Sequence, residues 1–326
     1  MSQRSSVLAR LADGRFHSGT EIGHSLGVTR AAVHKVARQL TKAGIALECR
    51  RGLGYRLDPR FRPLALAAMT EYWPAASLHQ IELLEEVDST NRYLLRQADR
   101  GLDIHGHCCL AESQTGGVGR RGRTWVSTAY SNILLSCAWR FDATISRLGG
   151  LSLAVGVAAR AALVDCGLET VRLKWPNDLV CGPRKLGGVL IELRAQAEAP
   201  TLVVCGIGIN GYIAPGQAPL IDQPWTDLEH ELGVVVDRNR VAAALLRHLI
   251  NLFDDFARHG FAAWRPVWER YHRDTGRFVQ VIDTSGRHIG GEALGADEHG
   301  GLRLRAVGGI VTVYAGDVGI PHEPSD

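Results

Sequence analysis

A run of arginines among glycines, one aspartate and one lysine are the residues of this 326-residue chain best suited to chemistry. Gly117-Val118-Gly119-Arg120-Arg121-Gly122 leads into Arg123, Thr124 and Trp125. Glycines let the backbone take φ > 0 and approach a ligand closely, and successive N–H groups can form a concavity for anions. Arg120, Arg121 and Arg123 add fixed charge that suits carboxylate and phosphate. An exposed flexible loop would be basic too, so this loop alone leaves both readings open. The second cluster is Lys174-Trp175-Pro176-Asn177-Asp178. Pro176 stops any helix running through it. Asp178 could hold Mg2+, a hard cation usually bound by one or two carboxylates plus phosphates, and Asn177 could meet a base edge. A proline turn with an ordinary aspartate reads the same way. In Arg184-Lys185-Leu186-Gly187-Gly188 an ammonium precedes a glycine pair, either a point charge for carboxylate or phosphate or a surface lysine in a turn.

Two segments match G-x-G-x-x-G, at 117–122 and 206–211. A nicotinamide site needs a strand, then the glycines, then a helix. The first segment leads toward another strand, and the second runs into Tyr212-Ile213-Ala214-Pro215-Gly216, so neither fits. No Walker A pattern is present. The seven cysteines are scattered, odd in number and without C-x-x-C, which points to reduced thiols in the cytoplasm rather than a disulfide frame or a metal site.

The elements that must position these residues alternate in type. Strands are expected at Cys108 to Ala111, Ile133 to Trp139, Val171 to Lys174, Val189 to Leu193 and Leu202 to Cys205. Helices are expected from Leu148 to Cys166 and from Val241 to Arg258, each stopped by a glycine. This is a mixed α/β or α+β body. After it, Phe278 to Ile282, Ile289 to Leu294, Leu302 to Ala306 and Ile310 to Tyr314 read as short strands joined by glycine turns, a small β-barrel.

The front of the chain is different. Ser18-Gly19-Thr20-Glu21 is a capping box, so a helix starts there and ends near Gly27. Thr29 caps a second helix running to about Ala43, with Gly44 as its stop. Ala32, Val33, Val36 and Leu40 give that helix an inner face. Arg30, His34, Lys35, Arg38 and Lys42 lie outside it. Strands at Ile45 to Glu48 and Tyr55 to Leu57 flank a turn holding Arg50 and Arg51. The order is that of a winged helix-turn-helix, with wing arginines set to reach phosphates. A small helical domain with a solvated basic face is the alternative. Residues 1–60 hold eleven Lys/Arg and four acidic residues, a surplus of seven. The whole chain carries +3, so the remainder is −4. A basic front on an acidic body points to a nucleic-acid module. Asp58-Pro59-Arg60-Phe61-Arg62-Pro63 reads as a linker. No signal peptide is expected behind Met1. No membrane helix is expected either, since the longest apolar run, around Leu153 to Val164, is broken by Arg160.

Together these segments resemble one family, the bifunctional biotin–protein ligases and biotin operon repressors of BirA type. The resemblance rests on Asp88-Ser89-Thr90-Asn91, Gln114 through Trp125, KWPND at 174–178, RKLGG at 184–188 and GIGIN at 206–210. In the front it rests on FHSG at 16–19, TRAAVHK at 29–35 and GLGY at 52–55. It implies an α+β multidomain chain. Residues 1–60 would be a winged helix-turn-helix, 67–272 a central α/β domain like a class II synthetase, and 274–320 a small SH3-like β-barrel. The activity implied is formation of biotinyl-5′-AMP from biotin and ATP with Mg2+, then transfer of biotin to a lysine of the biotin carboxyl carrier protein of acetyl-CoA carboxylase. The second role implied is repression of biotin synthesis genes at operator DNA by a ligand-dependent homodimer.

The site residues follow from the same resemblance. Ser89, Thr90, Asn91 and Gln114 match the positions around the biotin ring, with Val118 and Gly119 beside them. Lys185 matches the lysine on the biotin carboxylate and phosphate, and Arg120 the arginine that retains the adenylate. Trp125 matches the residue stacked on adenine, with Asn177, Asn210, Arg121 and Arg123 as its polar surroundings. Asp178 matches the Mg2+-linked position, so Lys185, Arg120 and Asp178 would carry the chemistry. Arg30, His34, Lys35, Arg38, Arg50 and Arg51 would meet DNA. One departure stands out: the family loop commonly has an arginine where this chain has Val118, so its backbone amides survive there but a charge does not. The 116–124 loop is expected to be mobile until it closes over the adenylate. Two rivals remain at this level, a biotin-sensing repressor without catalysis and a lipoate-type ligase on the same fold.

Overall fold

Period-two burial along the central strands decides where a ligand can sit. In the computed structural model, which describes residues 2–78, 80–194 and 200–319, these strands form a seven-stranded sheet. In chain order the body runs α4 (Leu66–Tyr72), β3 (Ile81–Leu84), α5 (Thr90–Asp99), β4 (Cys108–Ala111), β5 (Ile133–Phe141) and α6 (Leu151–Asp165). It continues with β6 (Arg172–Lys174), β7 (Asp178–Cys181), β8 (Arg184–Arg194), β9 (Thr201–Ile209), α7 (Leu228–Leu232), α8 (Arg238–His259) and α9 (Arg265–Tyr271). The sheet order is β3-β4-β5-β9-β8-β7-β6, with β3 and β4 parallel and every other pair antiparallel. On β9, Val203, Cys205, Ile207 and Ile209 enter the main core with α6 and α8. Val204, Gly206 and Gly208 alternate to the opposite face. There a smaller cluster of Leu94, Leu95, Cys109, Ala138 and Val204 seats α5 against the sheet. The stretch 206–209, beyond the strand expected at Leu202 to Cys205, is therefore strand as well.

The helical stretch Ile145–Asp165 spans 21 residues with a mean hydropathy of 1.5, longer and more apolar than the broken run read from the sequence. It is mostly buried, because α6 packs between the sheet and α8 with apolar residues all round. Arg160 leaves the core to lie over the Tyr271 ring.

The front holds α1 (Gln3–Leu11), α2 (Gly19–Leu26), α3 (Arg30–Lys42), β1 (Leu47–Arg50) and β2 (Gly54–Leu57). The capping box at Ser18 and Glu21 forms, Gly27 ends α2 at φ 66°, and Thr29 caps α3. α1 had no sequence signal strong enough to place it. Its Leu8 and Leu11 join Ile22, Val33, Val36 and Leu40 in one core. The wing strands pair from Leu47↔Leu57 to Arg50↔Gly54, a tighter turn than the sequence implied.

The expected linker is not loose. Phe61 is buried and edge-on to Tyr212, and Arg60 bonds Glu229 at 2.8 Å. Tyr130, from the body, is buried in the front domain's core at φ 60°, its hydroxyl on Glu85 and Arg4 over its ring. Glu85 also accepts from Ser2 and Ser5. Deeper in, Arg238 bonds Glu112 at 2.8 Å and the Arg62 carbonyl at 2.7 Å. Glu112 also takes the Leu64 N–H.

The chain ends in β10 (Phe278–Asp283), β11 (His288–Ala296), β12 (Leu302–Ala306), β13 (Gly309–Val313) and β14 (Gly316–Gly319), a five-stranded antiparallel sheet ordered β13-β12-β11-β10-β14. β14 was not read from the sequence. Residue 320, the expected end of this unit, lies outside the described residues. The sheet shares its core with the body, and Trp175 donates to the Gly300 carbonyl at 3.0 Å.

Glu112→Ala would strand the Arg238 guanidinium in a buried setting. The expected cost is about 3–5 kcal/mol, read as a lower midpoint in chemical denaturation. A midpoint equal to the parent's would show that this pair does not fasten the linker.

Candidate active site and nucleic-acid face

Because α6 and α8 fill one face of the sheet, the cleft opens on the other. It encloses about 1050 Å³, solvent mouth included. One end is a polar cage at the start of α5. Gln114 Oε1 accepts from the Thr90 N–H at 2.8 Å and the Thr90 hydroxyl at 3.0 Å. Asn91 donates to Glu192 at 2.8 Å. Ser136 Oγ lies 2.7 Å from Thr90 Oγ1 and 2.6 Å from Asn91 Oδ1 and donates to one of them. Ser89, Thr90 and Asn91 are buried, so the cage is pre-organised rather than solvated. Outside it, Arg96 grips Asp88 with two 2.7 Å bonds and holds that carboxyl down at about 2.

At the other end lies Trp125. Its ring rests on Gly208, where a Cβ would come within 2.6 Å of the indole. Its buried Nε1 has no protein partner. Between cage and indole, the Lys185 ammonium sits 2.7 Å from Asp178 Oδ1 and 5.8 Å from the Trp125 ring centroid. Lys185 is in strand β8, not in a turn, beside a register shift between Leu179 and Val180.

The glycine loop roofs the cleft. Trp125 N–H bonds the Gly117 carbonyl at 2.9 Å, and Gly119 N–H bonds that of Arg123 at 2.7 Å, closing a tight hairpin. Its arginines meet β14. Arg121 and Arg123 lie 2.9 and 2.8 Å from Asp317 Oδ2, and Arg120 donates to the Gly316 carbonyl at 3.3 Å.

The structure thus brings Ser89, Thr90, Asn91, Gln114, Val118, Gly119, Arg120, Arg123, Trp125, Asn177, Asp178 and Lys185 to one cleft. Two expected adenylate contacts fall outside it. Arg121, at a positive φ of 55°, does not line the cleft, and its guanidinium is bonded to Asp317. Asn210 borders a smaller adjoining hollow, with its amide spent on the Thr226 carbonyl at 3.0 Å. Asn177 lines the cleft but gives its amide to the Val189 carbonyl at 2.6 Å. Sequence reasoning missed Ser136, Glu192 and Asp317, and it named Lys174 without giving it a role. Ser136 left one signal, a hydroxyl inside the apolar run 133–139; Asp317 left none.

Arg30, His34, Lys35 and Arg38 are all exposed on α3. His34 bonds the Tyr55 hydroxyl at 2.9 Å. Arg50 is half-committed, bonded to Glu48 at 2.6 Å and stacked on Phe16. Arg51 is exposed at the wing tip.

A polar cage, a central ammonium, an indole shelf and a cationic roof make a cleft suited to an anionic guest, on a chain whose front is a helix-turn-helix. Residues 83–210 match the biotin/lipoate A/B protein ligase family, and residues 3–56 match a helix-turn-helix domain. The chain is 35% identical to the bifunctional ligase/repressor BirA of Escherichia coli over 315 residues, 96% of each protein. It is 36% identical to a biotin–[acetyl-CoA-carboxylase] ligase of Mycobacterium tuberculosis over 251 residues, 73% of this chain and 88% of that one. Among solved structures it is similar to the biotin protein ligase of Aquifex aeolicus in complex with biotin and ATP, with a TM-score of 0.61 and 25% identity, covering 74% of this chain and 97% of that one. The chain belongs to the family of BirA bifunctional ligase/repressors.

Asp317→Ala removes the carboxylate that ties down the roof. Trypsin cleavage after Arg120, Arg121 and Arg123 is expected to rise roughly tenfold, since exposed local opening costs little once its few contacts go. Unchanged cleavage would mean the hairpin bonds alone hold the loop.

Proposed function

We propose that the cleft makes biotinyl-5′-AMP from biotin and ATP and passes the biotin to a lysine of a biotin carboxyl carrier protein. The observation that carries this reading is Lys185, an ammonium held by Asp178 between a buried polar cage and an indole shelf. The cage of Ser89, Thr90, Asn91 and Gln114 offers donors and acceptors for the ureido ring of biotin. Lys185 then meets the biotin carboxylate and the α-phosphate, while adenine lies on Trp125 beside Asn177. A carboxylate oxygen bonds to the α-phosphorus as pyrophosphate leaves. Next, an acceptor amine attacks the acyl carbon, releasing AMP and a proton. Positioning and fixed positive charge from Lys185 and Arg120 do most of the work, under a roof that keeps water from the mixed anhydride.

Asp178 is one cleft carboxylate engaged by one ammonium, a donor set that fits Mg2+ arriving with the phosphates of ATP rather than a protein cage. When bound, the ion would offset phosphate charge. Arg121 and Asn210 act one step back in this reading, Arg121 through Asp317 and Asn210 by shaping the shelf.

The second role rests on α3. Arg30, His34, Lys35 and Arg38 would enter the major groove of an operator, with Arg51 and the wing on phosphates and Arg50 supporting them. A ligand-dependent homodimer would space two such helices on one face of DNA. The same reading divides the chain at 1–60, 67–272 and 274–320, with an SH3-like last unit. Seven free thiols and the use of ATP fit the cytoplasm.

Incubation with biotin, ATP, Mg2+ and a biotin carrier domain should add one biotin to the carrier, read by mass, and lipoate should not be transferred. Lys185→Ala should slow labelling by roughly 100- to 1000-fold, the scale for losing one pre-organised cationic contact. A parent protein that leaves the carrier unlabelled overturns the ligase reading. For DNA, Lys35→Ala should weaken binding about equally on all sequences and lower the salt slope by roughly one unit. A change confined to one base position would make Lys35 a base reader instead.

A further inference from the structure

The cleft contains a fourth cation, which neither the cage nor the shelf uses. Lys174 ends β6, directly across the strand pair from Asp178, and its side chain lines the cleft. The neighbouring cations are matched. Lys185 has Asp178 at 2.7 Å, and Arg273 has the buried Asp274 at 2.8 Å. Lys174 has no hydrogen-bond or ion-pair partner among the described residues, although Asp178 and Asp274 are near enough to act on it through space. Burial, the largest effect on it, pulls its ammonium below the ordinary lysine range. An unpaired, half-buried ammonium is an unfavourable arrangement unless an anion arrives to join it.

The sheet register says where Lys174 stands relative to the shelf. Gly208, Gly188, Asp178 and Lys174 form one row across β9, β8, β7 and β6. Trp125 rests on Gly208, and the Lys185 side chain lies over Gly188. Three strand spacings of ~4.8 Å put Lys174 roughly 14 Å from the indole shelf. It stands beyond the Lys185–Asp178 pair, on the side away from the base. A nucleotide stacked on Trp125 with its α-phosphate at Lys185 therefore extends its remaining phosphates toward Lys174.

We propose that Lys174 is a further catalytic residue, binding the terminal phosphates of ATP and the pyrophosphate that leaves. This rests on the ligase reading above and adds the half-reaction the residue serves. As the biotin carboxylate bonds to the α-phosphorus, the bond from that phosphorus to the bridging oxygen breaks, and its electron pair stays on the departing pyrophosphate. The Lys174 ammonium meets that growing charge with a hydrogen bond and transfers no proton. It has no part in the second half-reaction, where AMP leaves and pyrophosphate is absent.

The test separates the half-reactions in full-length Lys174→Gln and Lys174→Arg proteins. Single-turnover synthesis of adenylate from biotin and ATP should fall roughly 10- to 100-fold in K174Q, the range for losing one hydrogen bond to a charged group. Inhibition by added inorganic pyrophosphate should weaken along with it. Transfer to the carrier domain from supplied biotinyl-5′-AMP should keep the parent's rate, and K174R should recover most of the loss. Parent-like adenylation in K174Q overturns the proposal. So does an equal fall in both half-reactions, which would make Lys174 a base for the acceptor amine or a scaffold. Failure of the parent protein itself to form adenylate would overturn the ligase reading instead.

Discussion

Everything in the cleft depends on a bare strip of sheet. The central sheet is sealed on one face by α6 and α8, so a ligand has only the other face. A normal strand would fill that face with side chains. Here Gly188, Gly206 and Gly208 leave the backbone uncovered where Lys185, Asn91 and Trp125 must lie down, and a methyl group at Gly206 or Gly208 would press on Asn91 or Trp125. The glycines that resemble a nucleotide-loop fingerprint work as a floor. Their value is the side chain they lack, not the φ they allow.

On that floor the site is a balance of charge. Cations outnumber carboxylates, and the carboxylates present are each claimed: Asp178 by Lys185, Asp317 by the loop arginines. Such a cleft favours an anionic guest through fixed charges that need no reorganisation when it arrives. The Asp317 contacts also tie the C-terminal sheet to the reaction. With Trp175 bonded to Gly300, β14 and the turn before β12 hold both the roof and the back wall, so the C-terminal sheet completes the cleft.

Much of this was legible from residue order because local rules and the global fold agree. The cap at Ser18 and Glu21, the glycine stop at Gly27 and the helical spacing of Val33, Val36 and Leu40 each specify the same helices that the front core needs. The cleft also gathers most of the residues named for it, because glycine, arginine and lysine motifs stand out in sequence. What stayed hidden depends on contacts between distant parts of the chain. Glu192 anchors Asn91 from about a hundred positions away, and Asp317 holds Arg121 and Arg123 from nearly two hundred. Arg121 and Asn210 show the converse: both have suitable side chains, but a positive φ in one and a carbonyl at 226 in the other turn them to neighbours. The prolines of the linker left no sign that it packs, whereas Phe61 and Arg60 find partners on the body.

Tyr130 stands five residues after Trp125 and is buried in the core of the front domain. An aromatic residue at positive φ keeps that shape only while its surroundings insist on it. Cutting away the front would leave an apolar ring bare on the body and free a strained hinge close to Trp125. The front domain is therefore less a detachable accessory than a plug, seated five residues from the Trp125 indole.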